Sequence, residues 1–152
     1  MRLLIQQEFR KCDKFGCGFF GASRGLRKHT GLDLIIEPEE NIFSPIDGRV
    51  SKVGYCYKDD LSFRYVEITN SKFVIRVLYI DPLVDVGDWV KSGDYLGYGQ
   101  SLQNRYKGIT DHIHVEVKIG DKFVDPELYL DNDEKWTRNH FYISSFYSIF
   151  GR

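Results

Sequence analysis

His112-Ile-His-Val-Glu-Val-Lys-Ile119 alternates polar and aliphatic side chains over eight residues, and Gly120-Asp121 follows it as a turn. A period of two is that of a pleated strand with one face buried. The same reading extends outward. Arg64-Tyr-Val-Glu-Ile-Thr69 alternates cleanly, and in Arg49-Val-Ser-Lys-Val-Gly54 two valines flank polar residues. Lys72 is followed by Phe-Val-Ile-Arg-Val-Leu-Tyr-Ile80, a run that predicts one long, largely buried strand. Short strands punctuated by glycine and proline indicate an antiparallel sheet system rather than alternating strands and helices. The expected fold is mostly β, a single antiparallel β-sheet domain.

Composition agrees. The 152 residues are 42% hydrophobic and 28% charged, which is the balance of a folded domain. Ten tyrosines, eleven phenylalanines and two tryptophans favour half-buried pleated surfaces. A formal net charge of −1 gives no electrostatic reason to expect nucleic acid, although Arg24, Arg27 and Lys28 gather beside a candidate site. No apolar run approaches the roughly 20 residues of a membrane span. Met1 to Arg10 holds only three consecutive aliphatics, too few for a signal-peptide core. The expectation is therefore either processing before this numbering or no export by that route.

Cys12 and Cys17 enclose four residues and can close a local disulfide if the geometry permits, with Cys56 left alone. Three unpaired thiols are the alternative. Gly87-Asp88 and Gly93-Asp94 read as two tight turns whose glycines supply positive φ. Their pattern resembles the edges of biotinyl and lipoyl carrier domains, but the exposed lysine turn of those carriers is missing. From Trp136 to Phe150 the chain becomes dense in aromatics, and Tyr142, Phe146, Ile149 and Phe150 fit one helical face. This tail either packs on its own domain or docks on a partner or neighbouring subunit.

Four histidines exist, at 29, 112, 114 and 140. His112 and His114 share a strand face, because side chains two apart point the same way. His29 and Asp33 stand four apart, and Gly31 between them is expected to let the backbone bend so that both converge. Two imidazoles and a carboxylate form a typical set for catalytic zinc, which leaves a fourth position open.

The blocks His29-Thr-Gly-Leu-Asp33, Ser44-Pro-Ile-Asp-Gly-Arg-Val50, Val86 to Gly97, His112-Ile-His-Val-Glu116 and Asp125-Pro-Glu-Leu-Tyr-Leu130 resemble, in order and spacing, the lysostaphin/LytM-type zinc metallopeptidases. They are more similar still to the non-catalytic, chemotaxin-2-like branch of that fold, through Cys12-Asp-Lys-Phe-Gly-Cys-Gly18, Arg24, Arg27, Leu102-Gln103, Tyr106 and Gly108-Ile109. The resemblance spans residues 8–130 and leaves 131–152 as a C-terminal extension. It implies a zinc ion on His29, Asp33 and His114, and His112 as the histidine that hydrogen-bonds zinc-bound water. The active peptidases carry one more histidine, and Tyr79 aligns with it here. No histidine lies between 30 and 111. Tyr79 also matches the chemotaxin-like branch, whose lack of peptidase activity goes with this substitution. Ile36 stands where that branch has a cysteine. The resemblance thus implies an extracellular, zinc-binding and non-catalytic protein with a protein or glycan partner at a cell surface, or self-association through residues 131–152. A metalloendopeptidase cleaving glycine-rich or peptidoglycan cross-bridge peptides is the alternative.

Overall fold

A computed structural model describes residues 8–129. Expectations for residues 130–152, including the helical aromatic face and His140, lie outside the described residues. Two small hairpins come first: β1 (Cys12–Asp13) with β2 (Gly16–Cys17), and β3 (Ser23–Arg24) with β4 (Arg27–Lys28). Then follow β5 (Leu32–Ile35), β6 (Asn41–Phe43), β7 (Gly48–Tyr55), β8 (Arg64–Thr69) and β9 (Val74–Leu78). The remaining strands are β10 (Ile80–Pro82), β11 (Trp89–Val90), β12 (Tyr95–Gly99), β13 (His112–Ile119) and β14 (Lys122–Val124). A single 3-10 turn, Pro126–Tyr129, is the only helical element among the described residues.

Seven strands form the large sheet in the order β11-β7-β8-β9-β13, with β5 and β14 sharing the far edge of β13. A second sheet, β10-β12-β6, is smaller. Every strand pair described is antiparallel, as the sequence predicts. Parity divides the large sheet into two faces. Leu32 and Leu34 of β5, Val66 and Ile68 of β8, Ile75 and Val77 of β9, and Val115 and Val117 of β13 are all buried in one core. Ile42, Ile80 and Leu96 of the small sheet join the same core. The alternate residues, Asp33 on β5 and His112, His114 and Glu116 on β13, therefore face the other way. The strand period that builds the core also places the polar cluster.

The run 72–80 is not one strand. It breaks at Tyr79, whose φ of 69° lies in the left-handed region that a bulky side chain rarely adopts. The Tyr79 N–H donates to the Arg64 carbonyl at 2.8 Å, still within the large sheet. Its carbonyl accepts from Gln100 N–H at 2.9 Å, beyond the end of β12. Tyr79 is thus the corner where the chain leaves one sheet for the other. Hydropathy cannot reveal this, because apolar residues run through the corner, with Val77 and Ile80 buried on either side of it. The two glycine–aspartate turns are as expected: Gly87 and Gly93 have φ of 99° and 94°. In each, the aspartate carboxylate accepts the N–H three residues before it, Asp85 for Asp88 and Lys91 for Asp94.

Candidate metal centre

His114 and Asp33 are direct cross-strand partners between β13 and β5. Side chains so paired lie on one face within contact distance. Asp33 Oδ1 sits 2.9 Å from His114 Nδ1. His29 enters from the base of the β3–β4 hairpin. Its backbone N–H donates to Ala22 O at 2.7 Å and its carbonyl accepts from Gly21 N–H at 2.9 Å. This brings His29 Nε2 to 2.9 Å from His114 Nδ1 and 3.1 Å from Asp33 Oδ1. The three predicted residues therefore do meet, and all are buried.

The outer ring nitrogens fix what the inner ones can do. His29 Nδ1 donates to the Phe19 carbonyl at 2.9 Å, and His114 Nε2 donates to Glu116 Oε1 at 3.0 Å. With those protons outward, the neutral rings present lone pairs inward, beside a carboxylate oxygen. Three acceptors separated by 2.9–3.1 Å repel one another unless a cation sits among them. Ligands about 2.0–2.1 Å from a tetrahedral zinc stand roughly 3.3–3.4 Å apart, so a small expansion of this triangle accommodates the ion. Without a metal, a proton takes that part. Burial opposes charge on His114, but Asp33 and Glu116 outweigh it and raise its pKa to about 9. Burial likewise works against the Asp33 charge, and the hydrogen bond from protonated His114 still holds it far below the usual carboxylate range.

The chain bends at Gly31, as expected, and His29 and Asp33 converge beyond it, although the bend does not call on a left-handed backbone. The φ of Gly31 is not positive. A Cβ built there would lie 2.8 Å from His114 Cε1 and Nε2, and closer still to the Val115 carbonyl. Space for the imidazole is what requires glycine. Gly31→Ala is expected to cost about 1–3 kcal/mol of metal-free stability through overpacking and to weaken metal uptake as His114 is pushed aside. Denaturant unfolding with and without chelator measures both.

His112 and Tyr79 occupy the same cleft, about 290 Å³ in volume. The His112 Nδ1 donates to the Thr110 carbonyl at 2.7 Å, which leaves Nε2 3.4 Å from Asp33 Oδ2. Burial pushes the His112 pKa below its ordinary value. The Tyr79 ring stands edge-on to His112, with centroids 5.6 Å apart. Its hydroxyl is tied to Tyr57 at 2.7 Å, and Tyr57 in turn to Tyr106 at 2.8 Å. Burial pushes the Tyr79 phenol up to about 12.

Sequence reasoning assigned no part to several neighbours. Glu116 orients His114 and accepts from Thr30 Oγ1 at 2.9 Å. Its parity with His112 and His114 was the available signal. Arg10, only 4% exposed, donates from Nη1 to Asp33 Oδ2 at 2.9 Å. Nothing in a sequence separation of 23 residues announces that contact. Cys12 and Cys17 form a disulfide, and Cys56 is half-buried with a free thiol. Ile36, where the resemblance has a cysteine, is part of the core.

The class these features define is an antiparallel β protein with a two-histidine, one-carboxylate centre of metal-ligand type. The chain belongs to peptidase family M23, whose model matches residues 27–126. Leukocyte cell-derived chemotaxin-2 of Bos taurus is 33% identical over 124 residues, 81% of this chain and 80% of that protein. Myeloid protein 1 of Gallus gallus is 35% identical over 113 residues, 72% of this chain but 34% of that longer protein. Among solved structures, the catalytic domain of lysostaphin from Staphylococcus simulans aligns with a TM-score of 0.63 at 16% identity, over 83% of this chain and 93% of that one. The chain spans about half, 51%, of lysostaphin in its solution structure. A zinc-containing peptidase from Vibrio cholerae aligns with a TM-score of 0.56 at 27% identity, over 78% of this chain and 39% of that one.

Proposed function

We propose that this chain is a zinc-binding, non-catalytic member of the family that acts outside the cell by recognition. His29, Asp33 and His114 hold the ion, and the ligand chemistry of two imidazoles and one carboxylate suits zinc. The relatives named chemotaxin-2 and the zinc-containing structural neighbour support that direction. The disulfide between Cys12 and Cys17 supports an oxidising compartment.

One observation carries the non-catalytic reading. Where the peptidases are expected to have a proton-transferring histidine, the cleft has Tyr79, a phenol held near 12 and hydrogen-bonded to Tyr57. Bound zinc would supply an acidified water and a polarised carbonyl. A phenol at that pKa takes up no proton at neutral pH, although it can donate to an oxyanion. His112 remains in place, and this favours slow peptidase activity as the second reading. Elemental analysis and an assay on a pentaglycine-type cross-bridge peptide test the two together. Stoichiometric zinc without cleavage is the expected result, whereas brisk cleavage lost in His112→Ala reverses the order.

The partner is proposed to be a protein or glycan at a cell surface, or a second copy engaged through residues 131–152. Residues 136–150 hold seven large apolar side chains besides Trp136, more than water would favour if they were exposed together. Deleting 131–152 is expected to leave a folded, metal-binding domain with weaker self-association or docking. Circular dichroism and analytical ultracentrifugation read this out. A truncated chain that unfolds shows instead that the tail completes the core.

A further inference from the structure

We infer that Arg10, clamped by the Cys12–Cys17 hairpin, is the positioning residue that presents Asp33 to the metal, so that disulfide and metal affinity are coupled. The inference rests on the zinc reading above.

Asp33 divides its two oxygens. Oδ1 faces His29 and His114, while Oδ2 accepts from Arg10 Nη1 at 2.9 Å. Engaging Oδ2 stops the carboxylate from rotating and leaves one oxygen for the ion. Partners of this kind, behind the ligands, typically change metal affinity by about 10- to 100-fold. Arg10 is itself fixed from the hairpin. Its Nε and Nη2 donate to the two oxygens of Asp13 at 3.2 and 2.6 Å, and Nη2 also donates to the Gly16 carbonyl at 3.1 Å. Both acceptors lie inside the loop that the disulfide closes. Asp13 is anchored in turn by the N–H groups of Phe15 at 2.8 Å and Thr110 at 3.2 Å. The backbone follows the same path: Arg10 N–H donates to the Asp33 carbonyl, and Asp33 N–H to the Gly18 carbonyl. Gly18 permits this approach, since a Cβ there would lie 2.8 Å from Arg10 Cβ and 3.0 Å from Asp33 Cβ.

Two effects of Arg10 oppose each other. Its charge repels a cation, whereas its fork holds the ligand oxygen in place. The charge is already matched by Asp13, so orientation is the larger effect. Lysine keeps the charge but cannot span Asp13 and Asp33 with a planar fork. The substitution therefore separates the two effects.

The test is zinc affinity by chelator competition, together with the visible ligand-field spectrum of the cobalt(II)-substituted protein and the thermal stability of the metal-free form. Arg10→Gln and Arg10→Lys are both expected to weaken zinc by about 10- to 100-fold and to alter the cobalt spectrum. The double variant Cys12→Ser/Cys17→Ser should weaken zinc by at least about threefold. In the Arg10→Gln background it should add less than about twofold, because the hairpin acts through Arg10. If Arg10→Gln does not fold, Asp13→Asn takes its place, with weaker zinc binding and an altered spectrum expected. Unchanged or tighter zinc binding in the Arg10 variants (or in Asp13→Asn where it stands in) overturns the inference, as does an equal effect of the cysteine changes in both backgrounds. Wild-type protein without zinc affinity overturns the metal reading as well.

Discussion

Asp33→Ala or His114→Ala is expected to abolish stoichiometric zinc binding and the thermal stabilisation that zinc confers. The three inward atoms come from two segments 81 residues apart, joined by the β5–β13 pairing. Metal binding therefore favours the folded chain over the unfolded one. At a free zinc concentration a thousandfold above Kd, the linkage is worth about 4 kcal/mol. For a domain of this size that corresponds to a rise in Tm on the order of 10–20 °C. Neither variant should show this rise, since two remaining donors hold zinc weakly. Removing His114 also leaves Asp33 buried without one of its hydrogen-bond partners, so some metal-free stability should be lost too. His140→Ala should behave as wild type. Differential scanning calorimetry with added zinc, alongside metal content, decides the matter. Wild-type protein that neither contains zinc nor responds to it would sink the central reading.

The second large effect is expected at Tyr79. Tyr79→His restores an imidazole beside His112, and a general acid–base group typically contributes about 10²- to 10⁴-fold in rate. The backbone should accept the change, because histidine is among the residues enriched at positive φ, where Tyr79 already sits at 69°. The cost is the hydroxyl contact with Tyr57, which keeps its second partner in Tyr106. Cleavage of a cross-bridge peptide should rise from undetectable or very slow to measurable in Tyr79→His and stay absent in Tyr79→Phe. The phenylalanine control removes the hydroxyl without adding a base. Equal activity in wild type and both variants would show that residue 79 does not limit the chemistry.

Much of the architecture was legible because a strand writes its geometry into a short window. Alternation in 64–69 and 112–119 gave both the strands and the side facing the core, and the same parity put His112 and His114 on one face. The tight turns at Gly87 and Gly93 were equally local. Residue types offered two imidazoles and a carboxylate, and the resemblance to the metallopeptidases picked out His29, Asp33 and His114 among the few histidines. Glu116 could have been added from the same alternation.

What the sequence by itself determined is the antiparallel β class, the parity of its strands and the shared face of His112 and His114. Each of these depends on chemistry and period within a few residues. The tertiary structure alone decided the rest. It turned the run at 72–80 into two strands at Tyr79, because a corner between sheets is set by hydrogen bonds to Arg64 and Gln100 rather than by hydropathy. It showed that Gly31, besides lying at a bend, makes room for His114. It also brought Arg10 from the first hairpin against Asp33 and linked Tyr79 to Tyr57 and Tyr106. Contacts between segments distant in sequence depend on which strands become neighbours, and that pairing leaves no periodic mark in the residues it joins.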